Sequence, residues 1–200
     1  MPFSTYASDY MLQQWANSHA GYMSAHSAYS ASGANELAGG SYARVAVTWS
    51  AAGSEVLALS GTPYTINTPA SSSVSFLGFW DALTGGNFQG MTPNAAGASA
   101  YTFAAPSSTD ILLAPGSAYT ANQPVCVFPT GGSTLPTGLT AGVIYYISAP
   151  STDTFKLSAT SGGSAINLTA DGSGYVQQCT TETYGSAGAL SVSSGTWSLI

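Results

Sequence analysis

From Tyr42 onward, apolar and polar residues alternate in short runs that turn-forming residues separate. Alternation with a period of two places successive side chains on opposite faces of a β-strand. Short runs of this kind, bounded by Gly, Pro, Ser and Asn, are typical of β-sandwiches and small barrels. The predicted strands cover residues 42–49, 56–59, 64–67, 74–80, 101–103, 110–113, 124–128, 143–147, 154–158, 174–178, 189–192 and 196–200.

Two of these runs supply core faces. The first places Val45, Val47 and Trp49 on one side of its strand. The second is the strongest candidate for a core strand, so we expect both Trp49 and Trp80 to be structural core residues. The residues expected to share the core face of the second run are Val74, Phe76, Gly78 and Trp80.

The first 35 residues lack this alternation. Ser8 can cap a short helix over residues 9–17, in which Met11, Leu12 and Trp15 form an apolar face at helical spacing. Residues 18–35 are predicted to be extended or looped, and residues 1–35 are the expected assembly arm. The fold class is therefore all-β: two small β-sandwich or barrel-like modules with one short N-terminal helix.

Charge limits the partners that this chain can have. Charged residues make up 5% of the sequence, against roughly 25% in an ordinary globular domain. Arg44 and Lys156 are the two cations, which is too few for binding to phosphate backbones or to anionic membrane surfaces. No apolar run approaches the ~20 residues of a membrane helix, and residues 1–6 do not resemble a secretory signal. We expect protein or carbohydrate partners, with no nucleic acid and no membrane insertion.

No catalytic set stands out. His19 and His26 lie in a Ser- and Ala-rich segment without further metal ligands at matching spacing, so we expect incidental surface histidines. The eight carboxylates are isolated in sequence, and nothing selects the pair that a glycosidase needs. We therefore expect a protein that is not an enzyme and has no cofactor and no metal.

The aromatic residues have two interpretations. Sugar rings stack on Trp and Tyr, so a glycan platform is conceivable on loop residues such as Tyr22, Tyr29 and Tyr119. Membership of the core is the simpler interpretation, because aromatic side chains dominate β-rich cores.

Two stretches of the chain contain recognisable motifs. Residues 35–44 have the pattern N-E-x-x-G-G-x-Y-A-R, and residues 78–86 have the pattern G-x-W-D-A-x-T-G-G. This pair, together with the helix that opens the chain, resembles phage tail fibre-like or minor tail proteins. Residues 135–147 and 153–158 are similar to a small β module that recurs in phage virion proteins, with the pattern L-P-x-G-L-x-x-G-x-x-Y-Y.

The resemblance implies a domain organisation. Residues 1–100 form the helix or arm and the first β module, which residues 184–200 complete if the second module, residues 101–183, is an insertion. Two modules in series are the alternative. Cys126 and Cys179 fall on predicted strands near the two ends of the second module, where they form either a disulfide or, by default, two half-buried thiols.

The first motif contains the chain's only arginine. Glu36 and Asp81 are the motif residues best placed to pair with Arg44, and such a pair would hold two connections of the first module together. A solvated Arg44 on an outer strand face is the alternative. Neither arrangement implies catalysis.

The resemblance also implies a function and a location. We expect a structural component of a tailed-phage virion, as a minor tail, baseplate or tail-fibre-associated protein. A head decoration protein and a carbohydrate-binding receptor module at a fibre tip are the alternatives. The expected partners are other virion proteins and further copies of this chain, with a host surface glycan in the receptor case.

Overall fold

The computed structural model describes residues 4–95, 98–106 and 109–198. The chain is mostly β with one N-terminal helix, which confirms the predicted fold class. It divides into two compact units: unit 1 contains Met1–Thr92 and Thr181–Ile200, and unit 2 contains Pro93–Thr180. Unit 2 thus interrupts unit 1 along the chain. No helix in the described residues is long and apolar enough to cross a bilayer.

The helix α1 spans Thr5–His19, and its cap is Ser4, whose Oγ accepts a hydrogen bond from the Ala7 amide at 3.3 Å. The predicted cap, Ser8, is instead buried inside the helix with Leu12 and Ala16, while Met11 is exposed. The predicted apolar face was therefore wrong at Met11. Residues spaced by four positions face the strands on which α1 packs, so small side chains at 8 and 16 outweigh the larger Met.

The expected assembly arm is wrong for residues 22–26. Residues Tyr22–His26 form β1, an inner strand that pairs with a neighbour on each side. The strand is almost wholly buried although it contains Ser24 and His26. Polar residues can occupy an inner strand when their hydrogen bonds are satisfied within the protein.

The other strands of unit 1 form one four-stranded sheet, in the order β2-β1-β7-β8, and three smaller sheets, β15-β6, β16-β5 and β17-β4-β3. Their bounds are β2 (Val45–Ala46), β3 (Thr48–Trp49), β4 (Val56–Ser60), β5 (Tyr64–Thr68), β6 (Ser72–Val74), β7 (Phe76–Trp80), β8 (Phe88–Pro93), β15 (Glu182–Tyr184), β16 (Gly188–Val192) and β17 (Thr196–Ser198).

The run predicted as one core strand, residues 74–80, breaks at Ser75 into β6 and β7. The break separates side chains that strict alternation would place together. Val74 packs in one core cluster with Leu77 and Phe79. The alternate residues of β7 lie on its other face, where Trp80 donates a hydrogen bond to Ser24. Both faces of β7 are buried, so the prediction of a core strand holds. The prediction that Val74 shares a face with Phe76, Gly78 and Trp80 is wrong.

Unit 2 is a closed barrel whose strands follow the order β10-β13-β12-β11-β14-β9, all in antiparallel pairs where the register is given. Its interior contains alternate residues of these strands, among them Val125, Ile147, Phe155 and Val176. Closure leaves no free strand edge in this sheet. The strand bounds are β9 (Ala100–Ala105), β10 (Leu112–Leu113), β11 (Pro124–Phe128), β12 (Ile144–Ser148), β13 (Thr154–Ser158) and β14 (Gly172–Gln178).

Candidate functional site

Arg44 lies immediately before β2 and is the centre of the most densely bonded group in unit 1. Its Nε donates to Glu36 Oε1 at 2.9 Å, and its Nη2 donates to Glu36 Oε2 at 2.7 Å. The Arg44 side chain is only 9% exposed. The two parallel bonds make this a bidentate pair, which fixes the guanidinium plane as well as its position.

The rest of the guanidinium binds a surface turn. Arg44 Nη1 donates to the carbonyl oxygens of Ala82 at 3.0 Å and Gly85 at 2.7 Å. Its Cζ lies 3.6 Å from the centroid of the Trp80 ring, in cation–π contact. We call this group the Arg44 hub: Arg44, Glu36, Trp80 and the turn of residues 81–87. One side chain therefore joins the segment before β2, the segment at Glu36 and the turn that follows β7.

Asp81 has a different role from the one that the motif suggested. Its Oδ1 accepts from the Asn87 amide at 2.6 Å, and its Oδ2 accepts from Asn87 Nδ2 at 2.7 Å. The hydrogen bonds from Asn87 lower the pKa of Asp81. Asp81 thus closes the base of the turn, whereas Glu36 takes the ion pair with Arg44. A Cβ at Gly86, whose φ is +74°, would overlap Asp81 Oδ1, so the turn requires glycine there.

Tyr42 completes the hydrogen bonds of Glu36. Its hydroxyl donates to Glu36 Oε1 at 2.9 Å and accepts from the Ala25 amide at 3.1 Å. Burial alone would raise the pKa of Glu36, but the hydrogen bonds from Arg44 and Tyr42 and the charge of Arg44 bring it below its ordinary value. Burial also raises the pKa of Tyr42. Glu36 therefore stays ionised at neutral pH and has its oxygens occupied, which suits a structural pair and not a proton donor.

Trp49 and Trp80 are both structural, but they occupy different places. Trp80 is buried within the Arg44 hub. Trp49 is half-buried and donates from Nε1 to the Ala20 carbonyl at 2.8 Å. The Trp49 ring lies 5.3 Å from Phe79 and 6.5 Å from Trp197, which in turn lies 4.9 Å from Trp15. These rings connect α1 with the strands of unit 1.

Cys126 and Cys179 lie close together in unit 2 as fully buried thiols that no disulfide joins. Cys126 is opposite Gln177 in the β11–β14 ladder, and the Cys179 amide donates to the Pro124 carbonyl, so the two cysteines are diagonal neighbours. A hydrogen bond with Cys179, with burial, raises the pKa of Cys126. The structure therefore brings the pair together with both thiols unoxidised.

The three tyrosines considered for a glycan platform lie in a core, in a strand and against another aromatic ring. Tyr119 is buried in the barrel interior, where its hydroxyl donates to the Val176 carbonyl. Tyr22 is the first residue of β1, and Tyr29 packs its ring 5.9 Å from Phe76. The prediction that Tyr119 is a free loop residue is wrong, because its ring packs edge-on against Tyr101 and Phe155 in the barrel core.

The two histidines also differ. His19 is exposed at the end of α1, as expected, but His26 is fully buried in β1, so the surface prediction is wrong for it. No group of three or more His, Cys, Asp or Glu residues that could hold a metal ion occurs among the described residues. No sequence pattern indicates that His26 is buried, because one of its partners is Ser24 in the same strand and the other is a backbone carbonyl, that of Ala34.

Comparison with known proteins agrees with the resemblance seen in the motifs. No curated protein and no solved structure gives a significant match to this chain. A family model described as "Podophage GP4 fiber I protein gp80" matches residues 3–102, which is half of the 200 residues and includes every residue of the Arg44 hub. This finding confirms the resemblance to phage tail fibre-like proteins. The chain belongs to the podophage GP4 fiber I protein gp80 family and is a structural component of a phage virion.

Proposed function

We propose that this protein is a non-enzymatic part of the tail-fibre assembly, in which unit 1 makes the contacts that fix it to neighbouring virion proteins. The family match supports this proposal most strongly, because it falls on a fibre protein and covers most of unit 1.

The chemistry of the hub supports a structural role. Arg44 and Glu36 use their charged groups on each other, on Tyr42 and on two backbone carbonyls. A catalytic carboxylate or guanidinium would need unoccupied hydrogen-bonding positions that face a substrate. These contacts support the view that the chain's one arginine holds a surface turn rigid.

The turn that the hub holds has an exposed apolar tip. Leu83 is 49% exposed, while both ends of the turn are fixed by Asp81–Asn87 and by Arg44. A pre-ordered loop loses little conformational entropy when it binds, so its exposed side chain contributes more to affinity. We therefore assign the Leu83 turn as a contact with an apolar site on a neighbouring virion protein.

Location in the particle is tested by immunogold electron microscopy. An antibody raised against the purified protein should label the tail of virions of the phage that encodes it, and antibody pre-absorbed with the protein should not. Label spread over the head would replace this proposal with a head decoration protein.

The contact itself is tested by incorporation of variants into virions. We expect Leu83→Ser to reduce the amount of this protein in purified particles, because a hydroxyl in an apolar site loses the burial of the leucine side chain. Leu113→Ser is the matched control, since Leu113 is similarly exposed but lies in unit 2, outside the matched stretch. Equal incorporation of the two variants would remove the Leu83 turn from the proposal.

The absence of enzymatic activity is tested separately. Purified protein incubated with host envelope polysaccharide should release no more reducing sugar than buffer does. Turnover that rises with protein concentration would contradict the proposal directly.

A further inference from the structure

His26 is a fully buried histidine that the Arg44 hub does not explain. Its Nδ1 lies 2.9 Å from the Ala34 carbonyl oxygen, and its Nε2 lies 2.7 Å from Ser24 Oγ. Ser24 Oγ also accepts from Trp80 Nε1 at 2.8 Å. All three side chains are buried, so water does not compete for these bonds.

The hydrogen inventory of this group has one consistent solution. A carbonyl oxygen can only accept, so the proton of neutral His26 must be on Nδ1. The Nε2 atom then accepts a hydrogen bond from the Ser24 hydroxyl. The oxygen of that hydroxyl accepts a hydrogen bond from the indole N–H of Trp80. Each donor is used once: Trp80 donates to Ser24, Ser24 donates to His26, and His26 donates to the Ala34 carbonyl.

Ala34 belongs to the loop of residues 27–36, which returns onto β1. The Ser27 amide donates to the Asn35 carbonyl at 3.0 Å, and the Leu37 amide donates to the Ala25 carbonyl at 2.9 Å. The His26 side chain adds a bond to the same returning segment. It therefore fastens the loop to the sheet from the side-chain face, beside these two backbone bonds.

The surroundings are poorly suited to a charged imidazole. On β7, a Cβ at Gly78 would lie 2.5 Å from His26 Nε2, so the strand passes directly over the ring without a polar side chain. Phe88 lies 6.2 Å away on the β8 side. The charged groups nearby are Glu36, from the returning segment, and Arg44, from the segment before β2. These two are paired with each other, so they offer little net stabilisation to a third charge.

We propose that the chain of bonds from Trp80 through Ser24 and His26 to Ala34 is an acid-sensitive clasp, which releases the loop of residues 27–36 when His26 takes a second proton. That proton would go to Nε2 and turn it into a donor, so the Ser24 hydroxyl would lose its acceptor inside the core. An unsatisfied hydroxyl and an unpaired buried charge both oppose closure.

The direction of the pH effect follows from His26. Burial lowers the pKa of His26 below its ordinary value of 6.5, although the Ala34 bond and Glu36 act against this and Arg44 adds to it. In this proposal the open loop admits water to the imidazole, so His26 binds the proton more readily there than under the closed loop. The clasp therefore holds fully above pH 6.5 and weakens as the pH falls through the lowered pKa.

The test is a pair of NMR measurements on the full chain. Imidazole ¹⁵N shifts should identify the Nδ1–H tautomer of His26 near neutral pH and a titration midpoint below 6.5. Amide exchange protection at Ser27 and Leu37 should fall at acid pH, by roughly tenfold for each unit of pKa difference between open and closed loop. Protection at Leu77, in β7, should stay high over the same range.

His26→Asn provides the matched variant, because its side-chain amide can still donate to Ala34 but cannot take a proton in this range. We expect the pH dependence of Ser27 and Leu37 protection to disappear in this variant and to persist in His19→Asn, which changes the exposed histidine. An Nε2–H tautomer or a titration midpoint at or above 6.5 in the unmodified protein would overturn the proposal. That measurement decides the question even if His26→Asn fails to fold.

Discussion

Each unit contains one of the chain's two cations, and the two are used in opposite ways. In unit 1, the buried Arg44 joins three separate segments through Glu36 and two backbone carbonyls. In unit 2, the Lys156 Nζ lies 4.0 Å from Asp110 Oδ2, and both side chains are about a third exposed. In unit 1, the segments that Arg44 joins border strands of the four-stranded sheet, whereas the closed barrel of unit 2 connects its strands through the backbone ladder.

The two cations differ in how much of the structure around them depends on their charge. The closed barrel has an apolar interior, and its lysine lies nearer the surface than Arg44 does. The connections that border the four-stranded sheet lie outside its ladder, and the bidentate guanidinium supplies directional bonds to them.

Removal of a barrel core side chain should have the largest effect. Phe155 is 1% exposed and packs its ring 5.3 Å from Tyr119. We expect Phe155→Ala to lower the free energy of unfolding of unit 2 by about 3 to 5 kcal/mol, because a large cavity remains. The decrease in amide exchange protection in β11 and β14 would measure this loss of unfolding free energy. A loss below about 1 kcal/mol would contradict a barrel held by its apolar interior.

The hub should come next. Arg44→Met keeps the length of the side chain but leaves the half-buried Glu36 without its partner, so we expect a loss of about 2 to 3 kcal/mol. All four tryptophans lie in unit 1, and Trp80 contacts Arg44 directly, so tryptophan fluorescence during denaturation reports on this region.

Lys156→Met is the matched control for the hub. An exposed pair at 4.0 Å contributes little, so we expect a change within about 0.5 kcal/mol. Similar losses for the two variants would erase the distinction between the cations.

Two adjacent glycines test how the hub turn is closed. Gly85 and Gly86 both have positive φ, so an alanine costs about 1 kcal/mol at either position. A Cβ at Gly85 meets open space, whereas at Gly86 it would overlap Asp81 Oδ1. We expect Gly86→Ala to be the more destabilising by at least about 1 kcal/mol, measured by tryptophan fluorescence. Equal losses would mean that the Asp81–Asn87 closure does not restrict the turn.

Much of the fold was predictable because alternation reports burial directly. β4, β5, β11, β13 and β16 lie close to their predicted positions, since each has one face in a core. β15 was not predicted, because Glu182–Tyr184 has no apolar alternation and is defined by its pairing with β6.

The buried polar strand β1 was missed for a different reason. Ser24 and His26 are buried because Trp80 and Ala34 satisfy their hydrogen bonds, and sequence patterns do not show such partners. The same limit applies to the hub. The motif brought Arg44 and Glu36 to attention, but the carbonyls of Ala82 and Gly85 carry no sequence signal, because every residue has a carbonyl group.

The smallest effect is expected from a reductant, and it tests which form Cys126 and Cys179 take in solution. The two cysteines are buried and no disulfide joins them, so dithiothreitol should leave the unfolding midpoint of unit 2 unchanged. A thiol reagent should label neither cysteine in the native protein and both after denaturation, because burial and a raised pKa of Cys126 suppress the reactive thiolate. A disulfide would instead contribute about 2 to 4 kcal/mol that dithiothreitol removes. A midpoint that falls on reduction, with no thiol labelled after denaturation without reductant, would mean that a covalent bond supports the barrel, and unit 2 would no longer be the unit held by its ladder and its apolar interior alone.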